Sequence, residues 1–295
     1  MKYIIFSLLI LCHSFGYAQA NPDDIRLAIS KSIADLKVTP ESVASIKNDF
    51  VLNGKDSIHI RIYKPSSNIS LPVVYYVHGG GWVAGDLETH DNVCRYFTNT
   101  LQAIVIAVDY RRPPEHKFPI PFDDTYLVFK WIYANMKELN GNGKLIVMGE
   151  SAGGQLAASI CLVNAIDKNP IPVIAEVLVI PALNLAKGFV SYKRYPYFID
   201  WYLNDTDSAD DIRISPLLSK DISKAPPTII VVGETDPIRS DGEEYSKKLI
   251  KAGIVSPFFI QPKFGHFALQ WCAADKSVEG AFEFVVTKLK ELNVK

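Results

Sequence analysis

The chain has 295 residues, 48% of them hydrophobic and 21% charged, with a formal net charge of −1. That balance excludes a disordered chain and supplies enough apolar material for one large domain with a decoration. Because 31 basic and 32 acidic residues are intermixed along the sequence, bulk charge gives no reason to expect nucleic acid or an anionic membrane surface as a partner.

Residues 1–20 carry Lys2, an apolar stretch from Tyr3 to Leu11, and small residues at Gly16, Ala18 and Ala20. This pattern is that of a cleaved secretory signal, which makes the expected location secreted or periplasmic. The stretch is too short to cross a bilayer, so no stable membrane insertion is expected. Beyond it stand Cys94, Cys161 and Cys272, an odd number without metal-ligand spacing. Buried thiols are the simplest reading of the first two, and a disulfide between any two of the three is left open.

Residues 21–45 show helical spacing at Ile25, Ala28, Ile29, Ile33 and Leu36, with Asn21-Pro22-Asp23 as a start signal. The pattern then alternates over 50–63 around Asn53-Gly54, which predicts a β-hairpin with His59 on its exposed face. From Val73 the rhythm changes to short β-branched runs, at 73–77, 104–108, 145–148, 173–180, 228–232 and 257–261. Helical patterns over 89–100, 121–137, 152–163, 240–252 and 273–292 separate them. Strands apolar on both faces are covered on both sides, so the fold class is α/β with a mostly parallel central sheet flanked by helices. Residues 184–215 interrupt this alternation without a further strand and are dense in aromatic side chains, which predicts a cap over the strand ends.

Gly149-Glu150-Ser151-Ala152-Gly153 lies between a predicted strand and a predicted helix. A tight turn in that setting lifts a serine hydroxyl above the sheet, and its glycines remove side chains that the turn would crush. A serine at neutral pH needs a base. In hydrolases built on this turn the acid and the histidine follow the serine in the chain, and of six histidines only His266 does. Asp236, straight off the run 228–232, is the candidate for orienting the imidazole, with Glu234 as its competitor. The acids at 205, 207, 210 and 211 read as a solvated loop.

His78-Gly79-Gly80-Gly81-Trp82 follows the first core strand. Three consecutive glycines are costly to order, and the return is that backbone amides of Gly79, Gly80 and Gly81 can approach an acyl oxygen, with the amide of Ala152 as the further donor. The arrangement points to acyl transfer without a cofactor or metal, on a small-molecule ester.

These motifs, together with Gly85-Asp-Leu-Glu-Thr-His-Asp91, Val108-Asp-Tyr-Arg-Arg-Pro-Pro-Glu-His116 and Asp236-Pro-Ile-Arg239, resemble the hormone-sensitive lipase-like (bacterial family IV) carboxylesterases of the α/β-hydrolase fold, from about residue 48 to the C-terminal helix. The resemblance implies Ser151, Asp236 and His266 as the triad and Gly79–Gly81 with Ala152 as the oxyanion hole. It also implies a hydrolase domain over 21–295 whose small helical cap draws on 21–47 and 184–215, with Trp82 and Phe267 near the substrate. Position 150 is Glu where the family usually has Asp or Thr, residue 267 is Phe where Gly is usual, and the cap excursion is short. The expected function is a serine carboxylesterase acting on short-acyl esters through an acyl-enzyme. Alternatives on the same fold are a carbohydrate acetylesterase, an amidase, a lactonase or a non-catalytic small-molecule binding protein, and a homodimer is an open assembly.

Overall fold

A computed structural model describes residues 21–35, 37–266 and 278–292. The expected signal segment, Phe267 and Cys272 lie outside the described residues. The eight strands run β1 (Ser45–Asn53), β2 (Asp56–Lys64), β3 (Leu71–Val77), β4 (Ile104–Asp109), β5 (Gly141–Glu150), β6 (Ala175–Val179), β7 (Thr228–Gly233) and β8 (Phe258–Gln261). They form one sheet in the order β1-β2-β4-β3-β5-β6-β7-β8. The β1–β2 hairpin turns at Asn53 and Asp56 and joins β4 antiparallel, and all pairs from β4 through β8 are parallel.

The helices are α1 (Pro22–Asp35), α2 (Asp91–Leu101), α3 (Ile120–Ala134), α4 (Ser151–Ala165), α5 (Val190–Arg194), α6 (Pro196–Tyr202), α7 (Arg239–Lys251) and α8 (Glu279–Glu291). Alternate residues of the central strands feed two cores. Val73, Tyr75 and Val77 pack with α3, α4 and α7 on one face, whereas Val74 and Tyr76 pack with Val93, Phe97, Phe282 and Val285 of α2 and α8 on the other. Both faces are therefore dry, which is why the runs read as continuous rather than alternating. Cys94 and Cys161 are free, buried thiols in opposite cores.

The first helix is shorter than its periodicity suggests. Asn21 Oδ1 accepts from the amide of Asp23 at 3.0 Å and starts it, but α1 ends at Asp35 and residues 37–44 are irregular. The cause is in Val38-Thr39-Pro40: the proline disfavours helical geometry at Thr39, and the β-branched pair adds to that preference. His59 is exposed, as the hairpin alternation requires.

Two cap helices, α5 and α6, sit in the excursion after β6. Phe198 and Trp201 of α6 pack with Ile25 and Ile29 of α1 and with Val83 and Ala84 of the glycine-rich loop. Arg26 fastens α1 from beside that contact, donating to the Val83 and Pro113 carbonyls at 2.8 and 2.9 Å and reaching both oxygens of Glu115. The cap thus rests on the loop after β3.

Candidate active site

Four loops leave the carboxyl ends of parallel strands on the same side of the sheet, the usual place for a site in an open α/β sheet. The loop after β3 carries His78 to Gly85, β5 runs directly into Ser151, β7 leads to Asp236 and β8 to His266. Ser151 adopts φ +51° directly between β5 and α4. That left-handed conformation is strained for a residue with a Cβ, and it points the hydroxyl away from the sheet. The turn closes because Gly153 has no side chain: a Cβ there would stand 2.2 Å from the Val77 carbonyl oxygen.

Ser151 Oγ lies 2.8 Å from His266 Nε2, and His266 Nδ1 lies 3.0 Å from Asp236 Oδ2. A carboxylate only accepts, so Nδ1 carries the proton and Nε2 faces the serine as a base. The other oxygen of Asp236 accepts from the Ile238 amide at 2.9 Å, which fixes the carboxylate plane. Burial alone would push the His266 pKa down, but Asp236, and behind it Glu150, outweigh this and raise it above its ordinary value. Glu234 has a different task. Its carboxylate accepts from the Lys263 amide at 2.7 Å, bracing the histidine loop, so the competitor for the acid position is eliminated by geometry.

The glycine run makes a turn no other sequence could make. Gly80 and Gly81 have φ +116° and +61°, and a Cβ on Gly81 would meet the Phe198 ring at 2.2 Å. The Gly79 carbonyl pairs with His78 Nδ1 at 2.8 Å and the Gly80 carbonyl accepts from the Ala84 amide at 3.0 Å. His78 is buried and stacked on Tyr110 with ring centroids 4.3 Å apart. Desolvation first, then the nearby His90 and Arg112, hold its pKa well below the usual value, so it is a neutral prop for the loop.

Trp82, expected near the substrate, is tied into the loop and the helix below the nucleophile. Its indole is buried, stacked on Tyr202 with centroids 4.7 Å apart and donating to Gln155 at 2.9 Å. It supports the loop from below because a buried indole N–H demands a partner and Gln155 provides one. From the cap, the ring of Tyr195 stands 5.6 Å from that of His266.

Two supports escaped the sequence reading. Asp241 of α7 is buried and accepts from the amides of Leu183 and Asn184 and from Ser191 Oγ of α5, at 2.8, 3.1 and 2.7 Å. Burial raises its pKa to about 6 against the pull of these donors. Glu150 pairs with His90 at 2.9 Å in a buried contact. Asp241 has no motif to announce it, whereas Glu150 and His90 both lie inside motifs that were read for other residues. Among the described residues no cluster of His, Cys, Asp or Glu could hold a metal ion, and no helix is long and apolar enough to cross a membrane.

Comparison with known proteins agrees with this geometry. A family profile described as alpha/beta hydrolase fold matches residues 74–269. The carboxylesterase NlhH of Mycobacterium tuberculosis is 31% identical over 278 residues, covering 88% of this chain and 86% of that protein. An arylesterase of Saccharolobus solfataricus is 33% identical over 245 residues, 78% of this chain and 79% of its own. Among solved structures, a hyperthermophilic esterase from the archaeon Pyrobaculum calidifontis superposes with a TM-score of 0.86 at 30% identity, covering 93% of this chain and 95% of that one.

Proposed function

The chain belongs to the hormone-sensitive lipase-like (bacterial family IV) carboxylesterases of the α/β-hydrolase fold, and from that membership we propose that it hydrolyses short-acyl esters. It is a serine ester hydrolase: His266 takes the proton of Ser151 as the oxygen attacks the ester carbonyl, and an acyl-enzyme forms as the alcohol leaves with that proton. Water, activated by the same imidazole, then releases the acid. Asp236 holds the imidazole in the required tautomer and stabilises its charged form.

In this proposal the amides of Gly79, Gly80, Gly81 and Ala152 receive the oxyanion. The positive φ of the glycine turn and the unpaired amides at the start of α4 favour that assignment, and each such donor is worth about 3–4 kcal/mol in acyl transfer. Phe267, the residue after His266 in the chain, is proposed as a substrate-binding residue. Residues 1–20 support a secreted or periplasmic location in the same sense. A binding protein of this fold has no use for a histidine bonded to both Ser151 and Asp236, so that alternative falls away.

The short-acyl preference rests on one observation: the cap stands on the machinery itself, with Phe198 against Gly81 and Tyr195 against His266. Large rings that close leave room for a small acyl group. Initial rates on p-nitrophenyl esters from acetate to long chain, with Ser151→Ala as the blank, should peak at about two to six acyl carbons. Each methylene that fits contributes up to about 0.8 kcal/mol, and the first that does not reverses the trend. Rates that keep rising to long-chain or emulsified substrates would make the enzyme a lipase instead.

A further inference from the structure

Between the nucleophile turn and the glycine loop lies a polar layer that the triad chemistry does not use. Glu150 immediately precedes Ser151 and occupies the N-cap position of α4, yet its side chain makes no capping bond. It turns instead to His90, with Oε1 2.9 Å from Nε2 and both side chains almost fully buried. The carboxylate only accepts, so His90 Nε2 donates. On the other side of the ring, Nδ1 meets Thr89 Oγ1 at 3.0 Å and the Asp86 carbonyl at 3.3 Å. Asp86 and Thr89 bond reciprocally, amide to side chain, at 2.8 and 2.7 Å, which fixes that turn.

The same carboxylate also touches the oxyanion loop. A Cβ on Gly79 would lie 3.1 Å from both Cγ and Oε1 of Glu150 and 2.9 Å from its carbonyl oxygen. Only a residue without a side chain can therefore lie this close to Glu150, and Gly79 packs directly beside the nucleophile turn. Stability alone gives a weak reason to keep a carboxylate here, because burying a charge costs more than burying apolar groups of similar volume. Glu150 also acts at a distance on His266, where its charge joins that of Asp236 in favouring the imidazolium.

We propose that Glu150, held by His90, is a positioning residue for ester hydrolysis that holds Ser151 against the oxyanion loop and adds a second negative charge to the field at the catalytic imidazole. Two opposite charges develop in the transition state. The imidazolium gains from Glu150, and the His90 N–H, bonded to the Oε1 that lies beside Gly79, offsets the carboxylate charge where it is nearest the oxyanion loop. Tyr110 also feels the charge of Glu150, and His78, which neighbours His90, is kept neutral. Among the described residues, Ser151, Asp236 and, from the cap, Tyr195 face His266.

The inference rests on the serine esterase assignment, and the Ser151→Ala blank separates the two: hydrolysis that survives in the blank would sink the assignment itself. The test is the pH profile of kcat/KM on p-nitrophenyl acetate for wild type, Glu150→Gln, Glu150→Asp and His90→Gln, with circular dichroism to establish folding. Glu150→Gln keeps volume and an acceptor for His90 but loses the charge. Its acid limb should move to lower pH by about half a unit to one unit, since a nearby anion raises an imidazole pKa. Its kcat should fall about tenfold or more with KM changed less than about threefold. Glu150→Asp should return the acid limb to the wild-type position. His90→Gln retains the charge, so it should lose kcat while its acid limb stays at or above the wild-type pH. A folded Glu150→Gln with the wild-type acid limb overturns the proposal. If that variant does not fold, His90→Gln decides: kcat within about twofold of wild type, or an acid limb moved down, overturns it equally.

Discussion

At the scale of single residues, the site separates two acids that the chain places only two positions apart. Asp236 is buried, bonded to His266 and held by the Ile238 amide, whereas Glu234 faces the amide of Lys263. Asp236→Asn should therefore lower kcat by about four orders of magnitude, since the imidazole loses both its tautomer and the partner of its positive charge. Glu234→Gln, which weakens only a brace, should cost less than about tenfold. Steady-state rates on one ester compare the two directly, and the reverse ranking would assign the wrong carboxylate. The nucleophile and base were legible in the sequence because their chemistry needs fixed types in fixed order. The Glu150–His90 pair was not, since its two members are 60 positions apart and nothing local says that they meet. The bond from Trp82 to Gln155, 73 positions away, was equally invisible in the sequence.

At the scale of elements, the core strands were legible because both of their faces are apolar, although β5 begins at Gly141, ahead of its apolar run, and most helix ends fell within a few residues of their reading. The first helix was overextended because an amphipathic pattern continues past the point where Pro40 forbids it. The cap itself was legible from the aromatic excursion, but the polar contact that docks it, Ser191 donating to Asp241 of α7, was not. Strand β6 carries a second buried acid whose consequence is thermodynamic. Glu176 is fully buried, accepts from Thr228 Oγ1 at 2.8 Å, and has its pKa raised to about 7, chiefly by desolvation. Its ordinary value is 4.5, so the folded state holds a proton that the unfolded chain gives up across that interval. Stability is undiminished by this group below about pH 4.5 and falls as pH rises toward 7. Glu176→Gln should accordingly change little at pH 4.5 and stabilise the protein at pH 8, by up to about 3 kcal/mol for a shift of this size. Thermal melts at the two pH values check this, with a Tm gain of roughly 5 °C or more expected only at the higher one. An equal effect at both would mean that the carboxyl is not protonated in the fold.

At the scale of the whole molecule, the sheet gathers chemistry that the chain disperses over nearly 190 positions, from His78 to His266. Each parallel strand ends at the same edge, so residues from four strands share one crevice, and α1 and the cap helices close over it. The class of the fold could be read from the rhythm of apolar runs, but which loops face one another depends on strand order, which the rhythm does not contain. The central claim is that this assembly makes Ser151 a nucleophile that becomes covalently acylated. Reaction with an alkyl organophosphonate, followed by intact mass and peptide mapping, tests it most directly. One adduct per chain, located on Ser151, appearing in step with loss of esterase activity and absent from Ser151→Ala, is the predicted result. Labelling that persists in Ser151→Ala, or esterase activity that survives complete modification of Ser151, would contradict the claim.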